Sequence, residues 1–143
     1  MTRNEIDALL RSLFTLESDP NTPPTQSNWN DLSSFFGASF SDEFVSFMEL
    51  AGNYYIEGEL LRIADDGNIR GEDTIISSVE AEKSLGNWPD DLIPFYSVGN
   101  GDYYCISKER DTPVLYLYHE DQSVEVLHDS FEQFLKNELP DFV

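Results

Sequence analysis

The chain has a single cysteine, Cys105, and only two histidines, His119 and His128, in its 143 residues. One thiol excludes an internal disulfide and agrees with a reducing compartment. So few sulfur and imidazole ligands leave nothing from which to build a zinc site, and neither CxxC nor HExxH occurs. Basic residues are also scarce: 8 Lys and Arg stand against 28 Asp and Glu, a net charge of −20. A chain this poor in cations is not expected to bind nucleic acid directly or to adhere to an anionic membrane. No apolar run approaches the roughly 20 residues needed to cross a bilayer. The N-terminal MTRNEIDALL carries acid where a secretory signal needs a basic start and an apolar stretch, so the expected location is the cytoplasm.

What is present is enough for a core. Apolar residues make up 40% of the chain and aromatics 13%, too much of both for a disordered protein. At this length one domain can close without metal or disulfide. The acid is not gathered in a tail. The stretches 1–50, 51–100 and 101–143 hold 8, 10 and 10 acidic residues. Any partner would therefore meet a folded acidic face, not a flexible arm. Charge alone does not choose between two readings of that face, recognition of a basic partner and plain solubility.

Thr2 and Glu5 have capping-box spacing, and Ile6, Leu9, Leu10, Leu13 and Phe14 form a helical stripe behind them. The expected organisation is an N-terminal helix over 1–16, a proline-rich linker over 17–28, and a main domain over 29–143. Trp29 to Gly37 and Ser41 to Gly52 predict two short helices. YYIEGELLRIA predicts one or two strands parted at Gly58, followed by a turn at Asp65 to Asn68. Ser77 and Glu80 have capping-box spacing for a helix to about Ser84. Four strand-like runs follow: Phe95–Val98, Tyr103–Ser107, Val114–Tyr118 and Val124–Leu127. They are separated by GNGD, KERDTP and HEDQS, connections short enough for an antiparallel meander. Asp129 and Glu132 have the spacing to open a last helix bearing Phe131, Phe134, Leu135 and Leu139. Helices, then strands, then a helix is an α+β order.

No catalytic constellation emerges. Cys105 lies inside a strand-like run, where a small buried residue is expected. DGNIRGEDTIIS imitates a calcium loop at Asp66, Asn68 and Gly71, but Arg70 stands where an oxygen ligand belongs and Ser77 where a bidentate Glu belongs. A plain turn explains it better. Gly99-Asn100-Gly101 is a hairpin turn, with no helix after it to receive a pyrophosphate. No cofactor, metal or enzymatic activity is expected. The tyrosines at 54, 55, 103, 104, 116 and 118 lie in or beside predicted strands. Leu115 and Leu117 are expected on the core side, with Tyr116 and Tyr118 opposite, under a further helix layer or as an exposed interface.

The second half of the chain resembles the SUKH superfamily, the Smi/Knr-type immunity-protein domain. The residues that carry the resemblance are Pro94 before the turn at Gly101 and Asp102, then Tyr104 and Cys105. Val114 with His119 and Glu120 comes next, and Ser130, Phe131, Phe134 and Leu135 open the closing helix. Upstream, Trp29 and SFSDEFVSFMELAGN resemble the family's first element, with Ser39-Phe40 for its Leu-Pro and Gly52-Asn53 for its Asn-Gly. The resemblance extends from Trp29 to about Leu139. It implies a mostly antiparallel sheet of about five to six strands with helices packed around it. It also implies a non-catalytic role: bacterial members mostly neutralise a cognate toxin, and fungal members regulate wall synthesis through protein contacts. The motif residues are then expected to serve the fold. The expected partner is a basic protein, such as a nuclease toxin, met by Glu57, Glu59, Asp65, Asp66 and Asp102 with Tyr54, Tyr55 and Tyr103 as anchors. The alternative is a regulatory scaffold of the same fold that holds a cellular partner.

Overall fold

A computed structural model of the chain describes residues 1–109 and 113–143. Three helices come first: α1 (Arg3–Leu13), α2 (Gln26–Phe36) and α3 (Asp42–Ala51). The Thr2/Glu5 capping box forms as expected, and Ser41 caps α3. α2 has its own box, Thr25 with Asn28, so helix replaces linker from Gln26 onward. Ile6 and Leu10 of α1 are wholly buried in the common core. Glu49 joins all three helices by accepting from Arg3 Nη1 at 2.7 Å and from Trp29 Nε1 at 3.0 Å.

The sheet is β1 (Glu59–Leu60), β2 (Leu92–Ser97), β3 (Tyr103–Ser107), β4 (Val114–Leu117) and β5 (Val124–His128). The strands lie in sequence order and every pair is antiparallel. This is the expected meander. The KERDTP turn, in part, lies outside the described residues.

The expected strand or strands in YYIEGELLRIA shrink to β1, two residues long. Gly58 causes the break. It has φ of 91°, and a Cβ there would sit 1.6 Å from the Tyr96 hydroxyl oxygen. Before the break Tyr54 bridges Leu16, and after it Arg62 bridges Thr74.

The register aligns two rows across the sheet. Leu60, Tyr96, Tyr104, Tyr116 and Glu125 share one face, and Glu59, Ser97, Tyr103, Leu117 and Val124 share the other. Tyr116 and Leu117 thus point to opposite sides, as expected from the alternation.

The tyrosine face is covered by the C-terminal segment. α5 (Phe131–Gln133) runs into a π-helical stretch, Phe134–Glu138, and a 3₁₀ turn, Leu139–Phe142. Ser130 caps α5, in place of the expected Asp129, because Ser130 Oγ accepts from Gln133 N while Gln133 Oε1 accepts from Asp129 N. Phe131, Phe134, Leu135 and Leu139 are all buried. Phe134 packs between Phe47, Phe95 and Tyr104, and Phe142 stacks on Tyr96 with ring centroids 4.5 Å apart. The loosened π turn leaves Glu138 able to accept from the Tyr104 hydroxyl at 2.7 Å.

The opposite face carries α4 (Ile75–Ser84) and Trp88, whose ring meets Tyr103 edge-on at 5.3 Å. Cys105 is fully buried in the core cluster, and burial pushes its thiol pKa up.

The N-cap of α4 lies three residues before the expected Ser77. Thr74 is its cap, accepting from Ser77 N and donating to the Gly71 carbonyl, with no exposed surface. Thr74→Ala leaves both groups without their partner. The expected loss is about 1–2 kcal/mol, read as a lower urea midpoint, and Thr74→Ser restores most of it.

Candidate functional site

The residues singled out by sequence separate into two groups. The first lies along the β1 edge. Tyr55 is 53% exposed. Glu57, Glu59 and Asp66 are exposed as well, and Asp65 is half-buried. Glu57 and Glu59 have no cation within ion-pair distance among the described residues. Both charges help raise the pKa of Tyr96, after burial, and Glu59 also acts on Tyr103, so the two carboxylates share one neighbourhood. Asp65 is partly neutralised by Arg62 at 2.8 Å, and Asp66 accepts from Thr22 at 3.3 Å. The Asp65–Asn68 turn is closed by reciprocal backbone bonds at 2.9 Å, the plain turn expected there. A cleft of about 160 Å³ opens beside the edge, between the 17–24 segment and Met48, Ile56 and Leu60.

The second group is internal. Tyr54 is buried and its hydroxyl donates to Asp7 Oδ1 at 2.7 Å. Tyr103 is buried and donates to Glu82 at 3.1 Å. Both were expected as anchors for a partner, but the alternation that exposes Tyr55 turns Tyr54 inward, and Trp88 with α4 covers Tyr103.

Asp102, only 6% exposed, is the most connected carboxylate. Oδ1 accepts from His119 N at 2.8 Å and lies 2.6 Å from His119 Nδ1, while Oδ2 accepts from the Tyr116 hydroxyl at 2.7 Å. Burial by itself would raise its pKa. The bonds from the His119 backbone, the His119 ring and Tyr116 outweigh it and hold the value at about 2. An ionised carboxylate only accepts, so His119 Nδ1 carries the hydrogen between them. Gly101 makes room for this lock: at φ 99°, a Cβ there would meet the His119 ring at 2.9 Å. Gly101, Asp102 and His119 therefore tie the β2–β3 turn to the β4–β5 turn. The other motif residues are structural in the same sense. Trp29, Phe131 and Phe134 are core, Ser130 caps α5, and Pro94 pairs with Cys105 just before the β2 bulge.

Acid dominates the surface beyond these groups. Among the described residues only Asp7, Glu43, Glu49, Asp65, Glu80, Asp102, Glu132 and Glu138 face a cationic or imidazole nitrogen within 4 Å. The other described carboxylates have no such nitrogen within 4 Å. No His, Cys, Asp and Glu grouping among the described residues could hold a metal ion, and no described helix is long and apolar enough to cross a membrane.

A sequential antiparallel sheet with helices on both faces, two of its turns locked by a buried Asp, defines an α+β domain. The SUKH_5 family, described as SMI1-KNR4 cell-wall, matches residues 4–140, and the chain belongs to this family and so to the SUKH superfamily. The match takes in α1 and the proline-bearing segment, upstream of the Trp29 at which the motif resemblance begins. A crystal structure of a protein from Pseudomonas syringae pv. tomato is similar over 96% of this chain and 98% of its own, with a TM-score of 0.68 at 18% identity. That likeness concerns the fold. No curated protein sequence matches the chain.

Proposed function

We propose that the protein is a bacterial immunity protein that neutralises a cognate toxin by covering or plugging a basic cleft on it. The supporting observation is the uncompensated acid of the β1 edge. Among the described residues no cation lies within ion-pair distance of Glu57 or Glu59, near in sequence to the exposed Tyr55, in a molecule of charge −20. A nuclease toxin holds phosphates with Lys and Arg, and carboxylates on a rigid rim can take the place of those phosphates. Tyrosine supplies contact area at small entropic cost. The reading includes no catalytic step.

Co-expression with a toxin encoded beside this gene tests the proposal. Protection from killing is the expected result, and equal killing with and without this protein would end the reading in favour of a cellular partner. The double variant Glu57→Lys/Glu59→Lys is expected to weaken toxin binding at least about tenfold and to lose protection. Both positions are exposed, so circular dichroism should report an unchanged fold. Association of the unaltered pair should slow as salt rises, because steering is screened over about a Debye length.

A further inference from the structure

The two edges of the sheet differ. On the β1 side the chain doubles back on itself, with Leu16 bridging Tyr54 and Arg62 bridging Thr74. On the other side β5 is the edge strand, and among the described residues nothing pairs with it beyond β4. The Tyr118 N–H donates to the Ser123 carbonyl at 3.0 Å, just beyond the β4–β5 pairing. Antiparallel pairs alternate between bonded and unbonded positions. Tyr116 and Glu125 therefore form the next bonded pair, and the N–H and C=O groups of Val124 and Val126 point away from β4. Their side chains are also open, 45% and 58% exposed.

Proteins usually guard such an edge with lysine, proline or a tight bulge. Here Val124 to Val126 contain none of these; the bulge comes later, at the Val114/Leu115 step of the register. Among the described residues, the exposed charged groups on the strand and in the chain segments flanking it are carboxylates: Glu120 and Asp121 in the turn, Glu125 on the strand and Asp129 after it.

We infer that the β5 edge is a docking site for an extended, lysine- or arginine-bearing segment of another protein, which adds as a further strand and pairs with the outward groups of Val124 and Val126. Charge decides the occupant. A second copy would bring its own −20 to the same edge, and like charges facing across a strand pair repel. A basic segment alternating with apolar residues meets both the carboxylates and the two valines. The inference deepens the proposed function by giving the basic partner a second point of attachment, distant from the β1 edge, and it rests on that reading for the partner's charge.

The probe is a short acetylated peptide of alternating lysine and valine, titrated into isotope-labelled intact protein and followed by NMR. The expected result is a set of shift changes centred on Val124 to Val126, with slowed amide exchange at Val124 and Val126. The same peptide N-methylated along one edge keeps its charge and loses its backbone donors, and should bind at least about tenfold more weakly. A Val126→Pro variant, which removes an outward N–H, should weaken the unmodified peptide likewise. Should that variant fail to fold, the methylated peptide on unaltered protein still decides. Equal binding of both peptides, shifts spread over all acidic faces, or a dimer paired through β5 without peptide would each overturn the inference. Toxin protection is scored separately in cells. An immunity function that fails beside peptide binding that succeeds, or the reverse, can therefore be told apart.

Discussion

Phe134→Ala is expected to lose about 3–5 kcal/mol of folding stability, the range for truncating a buried aromatic with a cavity left behind. Phe134 has no exposed surface, and it is the ring on which three parts of the molecule meet. Phe47 brings α3, Phe95 and Tyr104 bring the sheet, and Phe142 brings the last turn, with ring centroids between 5.2 and 6.4 Å from Phe134. The neighbouring rings are held by contacts of their own, so they cannot collapse fully into the gap. Urea unfolding measures the loss. Phe134→Leu should recover part of it, since much of the volume returns. A cost below about 1 kcal/mol would mean that the C-terminal segment is not part of the cooperative core.

Asp102 gives the second large effect, with a pH signature. Asp102→Ala strands the His119 N–H and the Tyr116 hydroxyl without their acceptor, at about 1–3 kcal/mol for each buried group left unsatisfied. Because both bonds are only part-buried, the expected total lies toward the lower end of that sum, about 2–4 kcal/mol. The carboxyl also has a folded-state pKa of about 2 against an ordinary 3.8. A depressed pKa means the folded state favours the ionised form. Its contribution is therefore complete above about pH 4 and disappears as pH falls through 2. It amounts to roughly 2 kcal/mol. Stability measured between pH 5 and 2 should fall less steeply in Asp102→Asn than in the unaltered protein. Identical slopes would show that the carboxylate is not held ionised by His119 and Tyr116.

Much of the fold was legible because local chemistry fixed it. Thr2 with Glu5, and Ser41 ahead of an apolar stripe, announce helices that form where expected. The short turns at GNGD and HEDQS leave a meander as the simplest path, and the sheet takes it. The misplaced starts have a common cause. Near Ser77 and near Asp129 a second residue able to cap lies close by in sequence: the wholly buried Thr74 caps α4, and Ser130, next to Asp129, caps α5 through its bond from Gln133 N. β1 is short because the Tyr96 hydroxyl packs against the backbone at Gly58, a contact that no local pattern records. The site was legible in composition more than in position. Tyr55, Glu57 and Glu59 do lie together on one edge. Tyr54, Tyr103 and Asp102 turned inward because the second helix layer and the lock between turns are long-range events. The open edge at Val124 and Val126 could have been suspected from VEVLH, since its valines alternate with a charge.

The solitary Cys105 has a practical consequence. Its sulfur lies at the centre of the sheet with no exposed surface, and a thiol reacts only as thiolate and only when reached. An alkylating reagent applied to the intact protein must wait for β3 to come apart from its neighbours. The rate of that modification is therefore a clock for opening of the sheet, built into the natural sequence and needing no introduced label.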